Sequence, residues 1–337
     1  MKSIYPAILF VLFISFSLSV SAQWTTSTAL GENAIDIKSM GNADDIQAIK
    51  DRKLILMTLS EDSKVVYKFN KADDTTGLKE YRAAIKKFNN DLITVVDLMW
   101  PYHDSYLLMP YDSIQKMDKL IKPEYVMIYF VRYDTYIEAG ETKVHTSYDI
   151  NWDGYLISEN NAYSIKNRSD VDYYTVMKIA QVDEFRKAPP FQIAMPHISP
   201  TKTDIAFGMS YALWYLNMKK DRLDEAQIKE AIDNNTKQLS TITLLINSDD
   251  VKSKLVEDPY KAGYPFPFNV VPPEMYEQVI MSRMPGYAYL TMNCNKSCIT
   301  KAETGEPMFL YRPYDWNTDL PFSKAGKEIQ KITAKTK

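Results

Sequence analysis

The sequence predicts an α/β (or α+β) protein made of two diverged copies of one layered helix–strand unit, each copy ending in an antiparallel β-hairpin. Three observations predict it. Apolar runs of strand length alternate with runs of helical period along both halves of the chain. Met109 to Val131 lies without a gap on Val271 to Asn293, with Pro110 on Pro272, Pro123 on Pro285 and Tyr125 on Tyr287. The flanking segments recur in the same order, and co-linear recurrence of this kind is the mark of an internal repeat.

Before the first copy stands an export signal. Lys2 supplies a positive end, Ile4 to Val20 an apolar run diluted by Ser15, Ser17 and Ser19, and Val20-Ser21-Ala22 a small-residue cleavage site. Residues 1–22 are therefore expected to be removed, leaving Gln23 first. No later stretch is apolar and long enough to span a bilayer, so the exported chain is expected to be periplasmic or secreted, without a transmembrane segment. It is divided as 23–160 for the first unit, 161–220 for a connecting segment, 221–323 for the second unit and 324–337 for a basic tail.

In the first unit "DDIQAIK" reads as a helix and "KLILMTLSEDS", Lys53 to Ser63, as a strand stopping at Ser-acid-acid. A long helix follows, with Leu78, Tyr81, Ile85, Phe88 and Leu92 as its apolar stripe and Thr75 and Thr76 as capping candidates. Ile114, Met117 and Ile121 continue a second helix up to Pro123, and Tyr125 to Val131 is a strand. "GETKVHTSYDINWD" completes the unit. Tyr174 to Ala180 is a further strand, and two helices, Asp204 to Met218 and Leu223 to Ile232, lead into the second copy. The first of these presents Ile205, Met209, Ala212 and Leu216 on one face. In the second copy "TITLLINSDD", Thr241 to Asp250, matches the first strand. A Pro- and aromatic-rich stretch stands where the long helix was, Tyr287 to Met292 is a strand, and "GEPMFLYRPYDWNTD" matches the ending. Lys324 to Lys337 reads as a solvated, fraying tail.

The formal charge is −3 with acids and bases mixed along the chain, which excludes the concentrated basic surface of a nucleic-acid binder. The two cysteines, Cys294 and Cys298 in "CNKSC", are expected to form a local disulfide, because an exported protein meets oxidising conditions. Their C-x3-C spacing is not the C-x2-C of a redox motif, and no second pair completes a zinc site.

One stretch spells the start of a calcium loop. "YDINWDGYLISEN" places Asp149, Asn151 and Asp153 at the first three ligand positions and Gly154 at the turn, but Glu159 falls one place before the closing carboxylate. A strand and hairpin turn explain more: Asp149, Asn151 and Asp153 would line a solvated face with Ile150 and Trp152 turned inward. The second copy keeps Asp315, Asn317 and Asp319 without the glycine. No cofactor is expected, with calcium at Asp149, Asn151, Asp153 and Glu159 as the alternative.

No catalytic constellation stands out. "GMSYA", Gly208 to Ala212, lies inside a helical pattern where a nucleophile elbow needs a strand-to-helix turn. His103, His145 and His197 are the three histidines, none at metal spacing from another; His103 sits in "PYHDSY" and His197 between Pro196 and Pro200, both loop contexts. Tyr102, His103, Tyr264 and Phe266 are the candidate ligand surface, aromatic loop residues of which the tyrosines carry polar tips. The expected function is therefore an exported, non-catalytic binding or envelope-associated protein with an unidentified ligand or envelope partner. The alternative is an exported hydrolase whose site is gathered from separate carboxylates and a lone histidine.

Overall fold

A computed structural model describes residues 43–138, 141–147, 172–184, 191–197, 199–251, 263–292, 297–311 and 325–334. The first half runs α1 (Ala43–Asp51), β1 (Lys53–Thr58), α2 (Ser63–Lys71), α3 (Thr75–Met99), β2 (Tyr106–Pro110), α4 (Tyr111–Lys116), β3 (Tyr125–Glu138), β4 (Glu141–Ser147), β5 (Asp172–Gln181), β6 (Phe191–Ala194) and α5 (Lys202–Lys220). The second runs α6 (Glu225–Lys237), β7 (Thr243–Asn247), β8 (Phe268–Val271), α7 (Pro273–Met281), β9 (Tyr287–Met292), β10 (Ser297–Lys301), β11 (Pro307–Tyr311) and α8 (Ala325–Ala334).

The fold is mixed α/β, with two similar units. The first sheet has the order β2-β1-β3-β5-β6 and the second β8-β7-β9-β10-β11. In each, the first three strands are parallel and the last two alternate in sense. The ladders place Tyr125 opposite Lys53 and Tyr287 opposite Thr243, and likewise Met109 opposite Met57 and Val271 opposite Asn247. One register thus fits the gapless alignment of 109–131 on 271–293. It also equates Thr58 with Ser248, so the two Ser-acid-acid endings, at Ser60 and Ser248, stand two residues out of step.

The equation of Gly140-Glu141 with Gly305-Glu306 does not survive the pairing. β3 is 14 residues long and outruns β1, leaving a bare ladder that β4 fills; β11 instead pairs with β10 at the far edge. The strand counterparts of β10 and β11 are β5 and β6. The hairpin turn expected at Asp153-Gly154 lies outside the described residues.

Local chemistry explains most helix boundaries. The predicted stripe of α3 is buried, with Tyr81, Ile85, Phe88 and Leu92 in the core and Leu78 packed against it. Its cap is Asp74, not Thr75 or Thr76: the Asp74 carboxylate accepts the Gly77 N–H at 2.8 Å, and a carboxylate answers the helix N-terminus better than a hydroxyl does. The helix expected to reach Ile121 stops at Lys116. Met117 is extended, Asp118 turns the chain by accepting the Leu120 N–H, and Ile121 is left exposed.

The tail is a second correction. Residues 325–334 are α8, with Ile329 fully buried and Ile332 packed on the same core. Burying one such side chain is worth about 1.5–3 kcal/mol, more than the screened repulsion of lysines on the solvent side costs.

The third correction concerns α5, read as part of a connecting segment with one apolar face. It is buried nearly all round, from Asp204 and Ile205 through Tyr211 and Trp214 to Leu216. One core explains why. Leu54, Leu56, Val126 and Ile128 of the first sheet face α1, α3 and α5, and the same cluster continues into Leu245 and Tyr289 of the second sheet with Tyr276, Val279 and Ile280 of α7. By the ladder register Leu54 and Leu56 correspond to Leu244 and Ile246, which face the opposite way, toward α8. The units are therefore stacked head to tail. The α1/α3/α5 face of the first unit meets the α7 face of the second, and α5 lies between the sheets.

Candidate functional site

The sequence-predicted residues fall into three groups. Asp149, Asn151, Asp153, Glu159 and Cys294 lie outside the described residues, while Cys298 is buried on β10. Tyr102 and His103 are fixed to the first core: Trp100 Nε1 donates to His103 Nδ1 at 2.8 Å and His103 Nε2 donates to the Arg52 carbonyl at 2.6 Å, while the Tyr102 hydroxyl reaches Asn217. Tyr264 and Phe266 belong to the second core, Tyr264 buried with the Phe266 and Phe268 rings edge-on to it. The two pairs thus pack on different cores, with Tyr102, His103 and Phe266 half-buried. His145 is on β4. Gly208 faces Met177 and Met195, consistent with a packing role for "GMSYA".

The fold surrounds His197, whose flanking prolines predict a loop residue. His197 lies between β6 and α5. Its Nδ1 is 2.9 Å from Asp204 Oδ2 and its Nε2 is 3.1 Å from Asp250 Oδ1. Asp204 is placed by a capping box: its backbone N–H bonds the Thr201 hydroxyl, and its carboxylate accepts the Thr201 N–H at 2.8 Å. Asp250 stands on a single 3-10 turn after β7, where the Asn247 side chain accepts the Asp249 N–H. The Asp204 side chain is 4 % exposed and that of His197 43 %, so the carboxylate is fixed and the ring reaches solvent. Hydrogen bonds to Asp204 and then Asp250 push the imidazole up from 6.5 to about 10, against the opposing effect of burial.

These groups line a cleft of about 280 Å³ between the units. The second unit contributes Asn247, Asp249 and Asp250 from the carboxyl end of β7, Tyr276 and Glu277 from α7, and Thr291 from β9; the first contributes Lys87 of α3 and the start of α5. Lys202 pairs with Glu277 across the junction at 3.0 Å. The Tyr276 hydroxyl donates to the Leu290 carbonyl, and burial, with Asp250 nearby, pushes its phenol well up, so it stays neutral. The carboxyl end of parallel strands is where open α/β sheets bind ligands.

The same edge of the first unit is closed by its own chain. Asn89 of α3 accepts the Leu59 N–H at 2.9 Å and donates to the Leu59 carbonyl at 3.0 Å; the Tyr81 hydroxyl accepts the Asp62 N–H, and Arg82 grips Glu61 through two hydrogen bonds. The long helix, present in one copy only in the sequence, thus seals one site and lends Lys87 as a wall to the other.

Sequence reasoning missed Asp204 and Asp250. Thr201-x-x-Asp204 is a readable capping box, but nothing in it announces His197 as its neighbour. Among the described residues, no cluster of His, Cys, Asp and Glu could hold a metal ion, and no helix is long and apolar enough to cross a membrane. No protein-family model, curated protein or solved structure matches the chain.

Proposed function

We propose that the chain is an exported, non-catalytic binding protein that holds a small polar ligand in the cleft between its units. The observation that carries this is the state of the cleft's histidine. A general base needs a free ring nitrogen near neutral pH, and His197 has each nitrogen on a carboxylate and a pKa of about 10. The hydroxyls beside it are also engaged: Thr201 caps α5 and bonds Thr203, and Thr291 bonds the Cys298 carbonyl. An Asp–imidazole pair of hydrolase type would turn its second nitrogen to a nucleophile, and here that nitrogen meets Asp250. The lining offers a mixture of carboxylates, lysines, an amide and hydroxyls, suited to a ligand with several polar groups. The volume, just below the range of about 300–1,000 Å³ for ligand pockets, limits its size. Export rests on residues 1–22.

The test is a thermal-shift screen of small polyols, amino acids and amines on the mature protein, run beside a broad hydrolase panel. A saturable shift lost in Asp249→Ala, without turnover, is the expected result. Turnover abolished by His197→Gln would refute the proposal, as would a ligand whose binding ignores Asp249 and Lys87.

A further inference from the structure

We propose that Asp204, His197 and Asp250 form a proton-held clasp that fastens the two units at the mouth of the cleft and sets how far its rim can open. Carboxylates only accept hydrogen bonds, so a ring with a carboxylate oxygen about 3 Å from each nitrogen must carry a proton on both. His197 is the cation of a three-membered chain.

The two anchors are unequal. Asp204 belongs to the first unit; it is buried and tied to the Thr201 N–H. Asp250 belongs to the second and rides on the three-residue turn Ser248–Asp250, whose side-chain support is Asn247. Removing the second ring proton would set a nitrogen lone pair against a carboxylate, and the less anchored partner would yield. The turn after β7, which forms the cleft's rim, would then come away while Asp204 stays in place.

The surroundings leave this cation in charge of both carboxylates. Lining the same cleft are Thr201 and Lys202 at the start of α5, Asp249 on the turn, Tyr276 and Glu277 from α7, and Lys87 from α3. Lys202 is taken by Glu277 and Lys87 by Asp91 at 2.6 Å, so neither substitutes for the ring. While both carboxylates are ionised, the raised pKa of the folded ring means that the clasp contributes its full stabilisation up to about pH 6.5, progressively less above it, and none once pH passes about 10. The clasp rests on these contacts within the cleft lining, and its test needs no bound ligand.

Two measurements on the ligand-free mature protein test it. In carbon–proton NMR spectra, the ring signal that disappears in His197→Gln should titrate near pH 10 and move toward neutral pH in Asp250→Asn. By hydrogen exchange at neutral pH, the peptide covering 247–251 should exchange on the order of tenfold or more faster in both variants, as expected for losing a charged hydrogen bond, with β3 and β5 unaffected. Asp250→Asn keeps the side chain's shape and serves if His197→Gln does not fold. A ring midpoint near 6.5, or unchanged exchange at 247–251 in a folded variant, overturns the clasp.

Discussion

Gly305→Ala should destabilise the protein by about 2–5 kcal/mol, and the excess over a matched control measures how tightly the second unit presses on α5. Gly305 sits in the turn between β10 and β11 at φ +75°, and a Cβ there would stand 2.5 Å from the Ser210 Cβ and 3.2 Å from its Cα. Two costs add. The left-handed backbone costs an alanine about 1–2 kcal/mol, and forcing a methyl group against a helix backbone costs about 1–3 more. Gly286 separates them, because it has nearly the same φ, +82°, with no atom within 4 Å of its would-be Cβ. Gly286→Ala should therefore show the backbone cost alone. Urea unfolding at 25 °C, with m-values compared to confirm that the denatured states match, gives both numbers. Ser210→Gly removes the atom in the way, so the double variant with Gly305→Ala should recover part of the excess. Equal costs for the two glycines would refute the contact, and with it the claim that α5 is gripped from both sides.

Asn89→Ala should cost about 1–3 kcal/mol in the same assay, because it strands both the N–H and the carbonyl of Leu59; recovery of wild-type stability would mean that the carboxyl edge of β1 is not sealed by this side chain. Intact mass of the exported, unreduced protein should correspond to a chain beginning at Gln23 and lighter by two hydrogens for a Cys294–Cys298 bond. A chain retaining Met1, or two cysteines that label without reductant, would contradict the respective assignment.

How far the sequence reached depended on the range of the forces involved. Periodicity and register are local, and so the strands at Lys53, Tyr125, Thr241 and Tyr287, the stripe of α3 and the α/β class were legible from residue spacing alone. The repeat was legible too, because prolines and tyrosines mark the same turns in both copies. Boundaries went astray where a short side chain competed with the backbone, as at Asp74 and Asp118. The tail was misjudged because its charge is visible in the sequence, whereas the surface that buries Ile329 is not.

What the sequence by itself determined is the α/β class, the two related units and the strands whose apolar runs recur in both. What only the tertiary structure decided is how the units meet. A helix surrounded by two sheets needs apolar residues on every side, and α5 has them, but the letters Phe207, Tyr211, Trp214 and Tyr215 do not say which sheet each one faces. The site follows from that choice. His197, Asp204 and Asp250 carry no shared motif, since seven residues separate the first two and a whole strand–helix stretch the third. Head-to-tail stacking brings their charges within about 3 Å, where a desolvated carboxylate can hold a proton on an imidazole that water would have released.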